Sequence, residues 1–433
     1  MIQSPKGTKD LLPEGSPGLD PTFSVRFHQY VIDQAQSNLE RVGAKYIQTP
    51  MFEYPEVIQR GVGAATDIVQ KEMFSVSNDH ASKGESKVFI LRPEGTAPLA
   101  RAYIQNGLKQ FPAPLKLWTH GPMFRAENVQ EGRYRQFHQI GYEVFGASEP
   151  LIDAEAMASM WDILQDLGLR DVEFYIGSVG SREDRHRYND HLRETLLPHK
   201  HLLSVESQSR LEVNPLRIWD SKDERDRHLL VSLGISPLLD FLSGPSKSHF
   251  EDVQSYLDLF EIPYTIDPML VRGLDYYEHT AWEIHHKTMG GKTALGGGGR
   301  YNGLVELLGG LPVPGVGWAL GVERVVKAVL AEGVALPEQE KPLLYMGALD
   351  DDSVPNVASL ARKARKFAWV EYAYKPKAIK KHIQDAVKKG ARFVAFMGSE
   401  EREQGTVTYK ALESGEQWTL SQEEFLSAME GVQ

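Results

Sequence analysis

Apolar residues recur at helical spacing near the start of the chain, at Phe27, Val31, Ala35, Leu39 and Val42, and the pattern stops at Gly43. Such spacing builds one apolar stripe along a helix, and a glycine just past it is a common stop signal. A short β-prone run at 45–49 ends at Pro50, and three more strand-like runs follow at 87–91, 115–124 and 137–145. No crossover helix fits between the last two, so they are expected to pair antiparallel. The polar run 79–86 reads as an exposed hairpin tip. Pro150 and Gly168 bracket a further helix at about 151–167.

Beyond 171 the texture changes. After a strand at 172–176, leucines such as Leu192, Leu196, Leu229 and Leu233 recur at helical spacing among charged residues. No chemical motif stands out there, and a mostly helical inserted domain over 172–263 is expected. Strands return at 264–266 and 280–286, followed by a glycine-rich stretch (290–310) and a helix at about 319–331. Residues 332–342, with Gly333, Pro337 and Pro342, read as a linker. Strands at 343–348, 369–374 and 392–397 then alternate with helices at 354–367 and 377–389. That order predicts a small α/β domain with a parallel core over 343–433.

Composition narrows the class. A chain of 433 residues is too long for one compact core, and 41% apolar with 25% charged residues is ordinary for globular proteins. No run reaches the roughly 20 apolar residues that span a bilayer, and the first ten residues lack a signal peptide's apolar centre, so a cytoplasmic protein without membrane contact is expected. The absence of cysteine excludes disulfides, thiolate metal sites and a thiol nucleophile. A net charge of −11 argues against indiscriminate coating of nucleic acid. Between 362 and 392, however, eleven Lys or Arg face only Glu371 and Asp385, a local patch that suits a polyanion.

Candidate chemistry lies in five segments. In FHQIGYEVF (137–145), alternation sends Ile140, Tyr142 and Val144 to one face and Gln139, Gly141 and Glu143 to the other. At about 3.3 Å per residue, Gln139 and Glu143 stand roughly 13 Å apart, with room over Gly141 for a small polar ligand. Upstream, Arg125, Arg133 and Arg135 surround a turn at Gly132; arginine forks suit phosphate, and Phe137 is placed to stack on a base. There is no Walker phosphate loop. In LRPEGTA (91–97), Glu94 suits a substrate ammonium and Thr96 suits a helix cap. VRGLDYY (271–277) fits either a polar pocket wall or a satisfied turn network. The glycines 296–299 fit a phosphate nest, a close backbone approach or a mobile loop. GVGWALGVER (315–324) places glycines for close packing and ends in Glu323-Arg324.

Taken in order, these segments resemble the three motifs of class II aminoacyl-tRNA synthetases: the helix and strand ending at Pro50, then FRAEN through GRYRQFHQIGYEVFG, then GVGWALGVER. LVRGLDYY, GGGGRYNGLVELLGG and the opening PKGTKDLLP resemble segments peculiar to histidyl-tRNA synthetases. The resemblance implies an α+β fold in which 1–171 and 264–331 form an antiparallel-sheet catalytic domain around the helical insertion. It also implies a C-terminal anticodon-binding domain, ATP with Mg2+, L-histidine and tRNA(His) as partners, and a homodimer formed through the first motif.

Carried over by position, Glu94, Gly95, Thr96 and Gln139 would hold the α-amino end of histidine. Glu143 and Tyr277 would bond the imidazole nitrogens, with Tyr276 nearby. Arg125 would grip the α-phosphate and the substrate carboxylate; Glu127, Arg133, Phe137 and Arg324 would complete the ATP site. Arg272 would place a fixed cation on the opposite side of the α-phosphate and touch histidine. Glu278-His279 departs from the family pattern at the pocket rim. The rival reading, a regulatory paralogue attached to ATP phosphoribosyltransferase, would lose Arg133, Arg272, Tyr276, Tyr277 and the basic C-terminal domain.

Overall fold

In a computed structural model of the chain, residues 2–63, 66–77, 88–289, 294–337 and 341–431 are described. The run 79–86 lies outside them, as does part of the glycine-rich stretch and of the linker. The chain divides into two compact units, Met1–Leu336 and Pro337–Gln433.

The first unit carries, in chain order, β1 (Lys45–Tyr46), β2 (Phe52–Glu53), β3 (Ser75–Val76), β4 (Phe89–Leu91), β5 (Leu115–Phe124), β6 (Gln136–Phe145), β7 (Val172–Ser178), β8 (Tyr264–Ile266), β9 (Glu278–His286), β10 (Ala294–Arg300) and β11 (Gly315–Gly321). Eight of these form one sheet in the order β1-β5-β6-β11-β10-β9-β7-β8, and β2, β4 and β3 form a small second sheet. All pairings in the large sheet are antiparallel except those of its two edge strands, β1 with β5 and β8 with β7.

One face of the large sheet is a continuous apolar layer. Trp118, Ile140, Tyr142, Val144, Trp282, Ile284, Trp318 and Leu320 are all buried there. Helices Val25–Arg41, Pro150–Asp166, Gly244–Leu259 and Val322–Ala331 cover it with their own apolar stripes. Burying a large side chain contributes about 1.5–3 kcal/mol, so this layer fixes the register of the sheet. The other face carries a second apolar cluster at Leu115, Leu117 and Phe145, and beside it the middle of the sheet is left to glycines and polar groups, which is where a ligand fits.

Three sequence expectations change. Residues 319–321, read as helix, extend β11, and the helix begins at Val322. The glycines 296–299 form neither a nest nor a mobile loop but the middle of β10. They are glycines because neighbours lie on them: a Cβ at Gly298 would meet the Gly317 carbonyl at 2.2 Å and the Trp282 and Trp318 side chains at 2.7 Å. The segment read as an insertion begins with β7, a strand of the large sheet, and its last helix, Gly244–Leu259, packs in the same core; short helices from Arg182–Leu196 to Leu238–Phe241 lie between.

The second unit carries β12 (Leu344–Ala348), β13 (Val370–Tyr372), β14 (Phe393–Met397), β15 (Thr406–Ala411) and β16 (Gln417–Ser421) in the order β13-β12-β14-β15-β16. The first three are parallel, as their alternation with helices requires, and the last two add an antiparallel hairpin.

Candidate active site

β6 sets the floor of the site. Its inward residues Ile140 and Tyr142 are fully buried, which forces Gln139, Gly141 and Glu143 onto the open face. There they line a cleft of about 630 Å³. Glu94, Gly95, Thr96, Arg125, Glu127, Arg133, Phe137, Arg272, Tyr276, Tyr277 and Arg324 line the same cleft, so every position singled out for histidine or ATP meets in one place. Glu278 and His279 are not part of its lining.

One end of the cleft is built of hydroxyls around a buried carboxyl. Glu143 is 2% exposed. Thr96 Oγ1 donates to its Oε1 at 2.6 Å, and the Tyr301 hydroxyl donates to its Oε2. Burial pushes the Glu143 carboxyl up to about 8 against the pull of those two bonds, and nearby Glu94 adds to the rise. A Cβ at Gly317 would stand 1.8 Å from Glu143 Oε2, so only glycine fits opposite this carboxyl. Tyr276 and Tyr277 are buried with ring centroids 4.7 Å apart, and Tyr301 packs 5.7 Å from Tyr276. Burial also raises both phenols, which keeps them neutral donors.

Glu94 corrects one expectation. Its two oxygens accept from the backbone N–H groups of Thr96 (2.8 Å) and Ala97 (2.9 Å), so Glu94, not Thr96, caps the helix Thr96–Gln105. The carboxylate at a helix N-terminus is favourable. It leaves the Thr96 hydroxyl for Glu143.

The other end is cationic. Arg125 donates from Nε to the Pro93 carbonyl at 2.9 Å and lies 5.3 Å from the centre of the Phe137 ring. Arg133 pairs with Glu127 at 3.3 Å. Arg324 donates from Nε to Gly132 O (3.1 Å) and from Nη1 to Ala294 O (2.7 Å), bracing the 121–135 turn against β10. Burial, then the like charges of Arg125 and Arg133, depress the Arg324 guanidinium, a crowding that an anion would relieve. Arg272 is ion-paired with Glu283, and its buried Nε has no hydrogen-bond partner among the described residues. β10 makes the space for this wall: a Cβ at Gly297 would lie 2.9 Å from the Arg272 guanidinium, and one at Gly299 would lie 2.5 Å from the Tyr277 ring. The 271–277 loop also walls a second cavity of about 770 Å³, shared with Arg185, Asn214 and Arg217.

Sequence reasoning assigned no role to Tyr301, Glu283 or Glu72. Tyr301 lies in the GGGGRYNG segment, but nothing in its spacing says that it reaches Glu143. Glu283 stands between Trp282 and Ile284 in β9, and a carboxylate between two bulky apolar residues is the signal that was available.

A family model described as Histidyl-tRNA synthetase matches residues 21–183 and 242–325, and one described as Anticodon binding domain matches 337–431. The chain belongs to the histidyl-tRNA synthetase family. Among relatives of this synthetase family, the Histidine--tRNA ligase of Deinococcus deserti is 52% identical over 96% of this chain and 92% of its own length. That of Thermus thermophilus is 48% identical over 97% of this chain and 96% of its own. The crystal structure of the apo S. aureus histidyl-tRNA synthetase superposes with a TM-score of 0.80 at 34% identity, covering 99% of this chain and all of that one. The α+β fold with a separate C-terminal anticodon-binding unit is that of the family.

Proposed function

We propose that this chain is a histidine–tRNA ligase: it joins L-histidine to ATP as histidyl-adenylate, releasing pyrophosphate, and passes the histidyl group to the 3′ end of tRNA(His). The carrying observation is one cleft with a neutral, hydroxyl-ringed carboxyl at one end and four arginines toward the other. A carboxyl and phenols suit an imidazole that both donates and accepts. Any amino acid without matching ring nitrogens would leave those buried groups unpaired, which costs about 1–3 kcal/mol each.

In the first step a histidine carboxylate oxygen attacks the α-phosphorus, and the bond to the pyrophosphate oxygen breaks. Charge spreads over equatorial oxygens, so fixed cations do most of the work and no side-chain nucleophile is needed. Arg125 and Arg272 flank the reacting centre; Arg133 and Arg324 take the outer phosphates, and Phe137 stacks on adenine. Glu94 and Gln139 hold the ammonium. Mg2+ accompanies ATP. Glu72 and Glu127 supply hard oxygen donors at the arginine end, close enough that Glu127 raises the Glu72 carboxyl, which burial has already raised. Held by those carboxylates, Mg2+ would neutralise phosphate charge.

For tRNA, the second unit offers Arg362, Lys363, Lys366, Lys375, Lys380 and Lys388 on its surface, together with Tyr374, 78% exposed. Dimerisation would cover Tyr46, Met51, Phe52 and Tyr54, each between 44% and 57% exposed beside β1 and β2. Among the described residues no helix is long and apolar enough to cross a membrane.

The test is amino-acid-dependent exchange of pyrophosphate into ATP, run with each amino acid. Exchange with histidine alone is expected. No exchange with any amino acid would sink the reading.

A further inference from the structure

β11 ends at Gly321, opposite Gln139, but β6 extends past that point through His138 and Phe137 to Gln136. Over this last stretch β6 has a strand neighbour on the β5 side only. The free side is filled by Glu323, from the first turn of the helix that continues β11. Its two oxygens each accept the His138 backbone N–H at 3.0 Å, and Oε1 also lies 2.8 Å from His138 Nδ1. Glu323 is 4% exposed, so these are buried, charge-assisted bonds. The carboxylate thus stands in for the strand that has turned away.

We propose that Glu323 is a positioning residue for the nucleotide: acting through His138, it fixes the ring of Phe137 and the turn that carries Arg324. This rests on the reading of the arginine end as the ATP site. Gln139 keeps ladder partners on both sides, Gly121 and Gly321, so histidine binding does not depend on the clasp. His28, from the first long helix, backs it: its ring meets His138 edge-on at 5.4 Å.

His28, His138 and Glu323 also place ligand atoms within 4.8 Å of one another, a spacing that a cation could bridge. The hydrogen bonds favour the clasp. Both Glu323 oxygens are engaged by His138, and His28 Nε2 lies 3.0 Å from the Thr22 carbonyl.

The experiment is steady-state pyrophosphate exchange with the full chain. Glu323→Ala is expected to raise KM for ATP about tenfold or more, the effect of losing one charge-assisted bond, while KM for histidine stays within about twofold. Glu323→Gln, which keeps an acceptor for the backbone N–H, is expected to recover most of that loss, a rescue that general destabilisation would not give. If Glu323→Ala does not fold, His138→Ala keeps the backbone bond and is expected to raise KM for ATP about threefold. An unmoved KM for ATP, or equal rises in both KM values, would overturn the proposal while leaving the cleft's assignment intact. Stoichiometric zinc in the purified chain, lost in His138→Ala, would overturn it too. A wild-type chain without histidine-dependent exchange would overturn the assignment of the cleft itself.

Discussion

Glu143 and Glu283 both face the cleft and do opposite things there. Glu143 is buried among the hydroxyls of Thr96 and Tyr301, with no cation paired to it among the described residues, and its carboxyl is pushed up to about 8. Glu283 is also penalised by burial, but Arg272 and His285 outweigh that and hold it well below the usual carboxylate range. One carboxyl is kept neutral, as recognition of a small polar ring needs. The other is kept charged and fixes the position of a guanidinium. Partners, not residue type, decide which role a carboxyl plays.

The comparison breaks most visibly at Arg272. Arg272→Ala is expected to slow pyrophosphate exchange about 10²–10³-fold, the usual scale for removing one preorganised charge. Histidine affinity measured by calorimetry should fall only a few-fold. Equal losses in both would mean that Arg272 serves binding rather than the reacting phosphate.

Glu143→Gln tests the neutral carboxyl in two ways. KM for histidine should rise about 10²-fold, since an amide cannot reproduce both protonation states of the carboxyl. Stability should move the other way. The folded carboxyl holds its proton up to about pH 8, while the unfolded one releases it near 4.5, so wild-type stability falls as pH rises between those values and then levels off. The Gln variant lacks that fall and should be more stable by on the order of 4 kcal/mol at pH 8, with little difference at pH 4. Urea unfolding at pH 4, 6 and 8 measures it; parallel pH curves would show that Glu143 is ionised in the folded chain.

Tyr301→Phe removes one hydroxyl from the same carboxyl. KM for histidine is expected to rise about tenfold, with KM for ATP unchanged. Arg133→Ala should be the mildest change. Its side chain is 41% exposed, so KM for ATP should rise only about threefold, and less at high salt.

The sequence made some of this contrast readable. In 137–145 the alternation is strict, so the open face of β6 could be assigned before any tertiary contact was known. The helical stripe ending at Gly43 and the β-α-β order of the C-terminal unit were equally plain, because burial on one side leaves a period in the chain. Tyr301 was not readable as the partner of Glu143. Four glycines precede Arg300 and carry no side chains to mark the faces of β10, and the contact crosses from the end of β10 to β6 over 158 positions. The Arg272–Glu283 pair depends on how the 271–277 loop folds back over β10 and β9. Thr96 was misread as the cap, because the choice between Glu94 and Thr96 turns on backbone geometry. The hairpin β15–β16 was missed although Val407 and Tyr409, and then Trp418 and Leu420, alternate with polar residues; both strands are short, and β16 is largely exposed.

β10 has almost no side-chain mass of its own at 296–299; it is held by its ladders with β9 and β11 and by Arg272, Tyr277, Trp282 and Trp318 lying against it. The centre of the sheet is thereby a sensor of the wall above it. A ligand that tightens the 271–277 loop should slow amide hydrogen exchange along 296–299, including at Gly298 and Gly299, which do not line the cleft. Occupancy of the cleft would then be readable from the backbone of a buried strand.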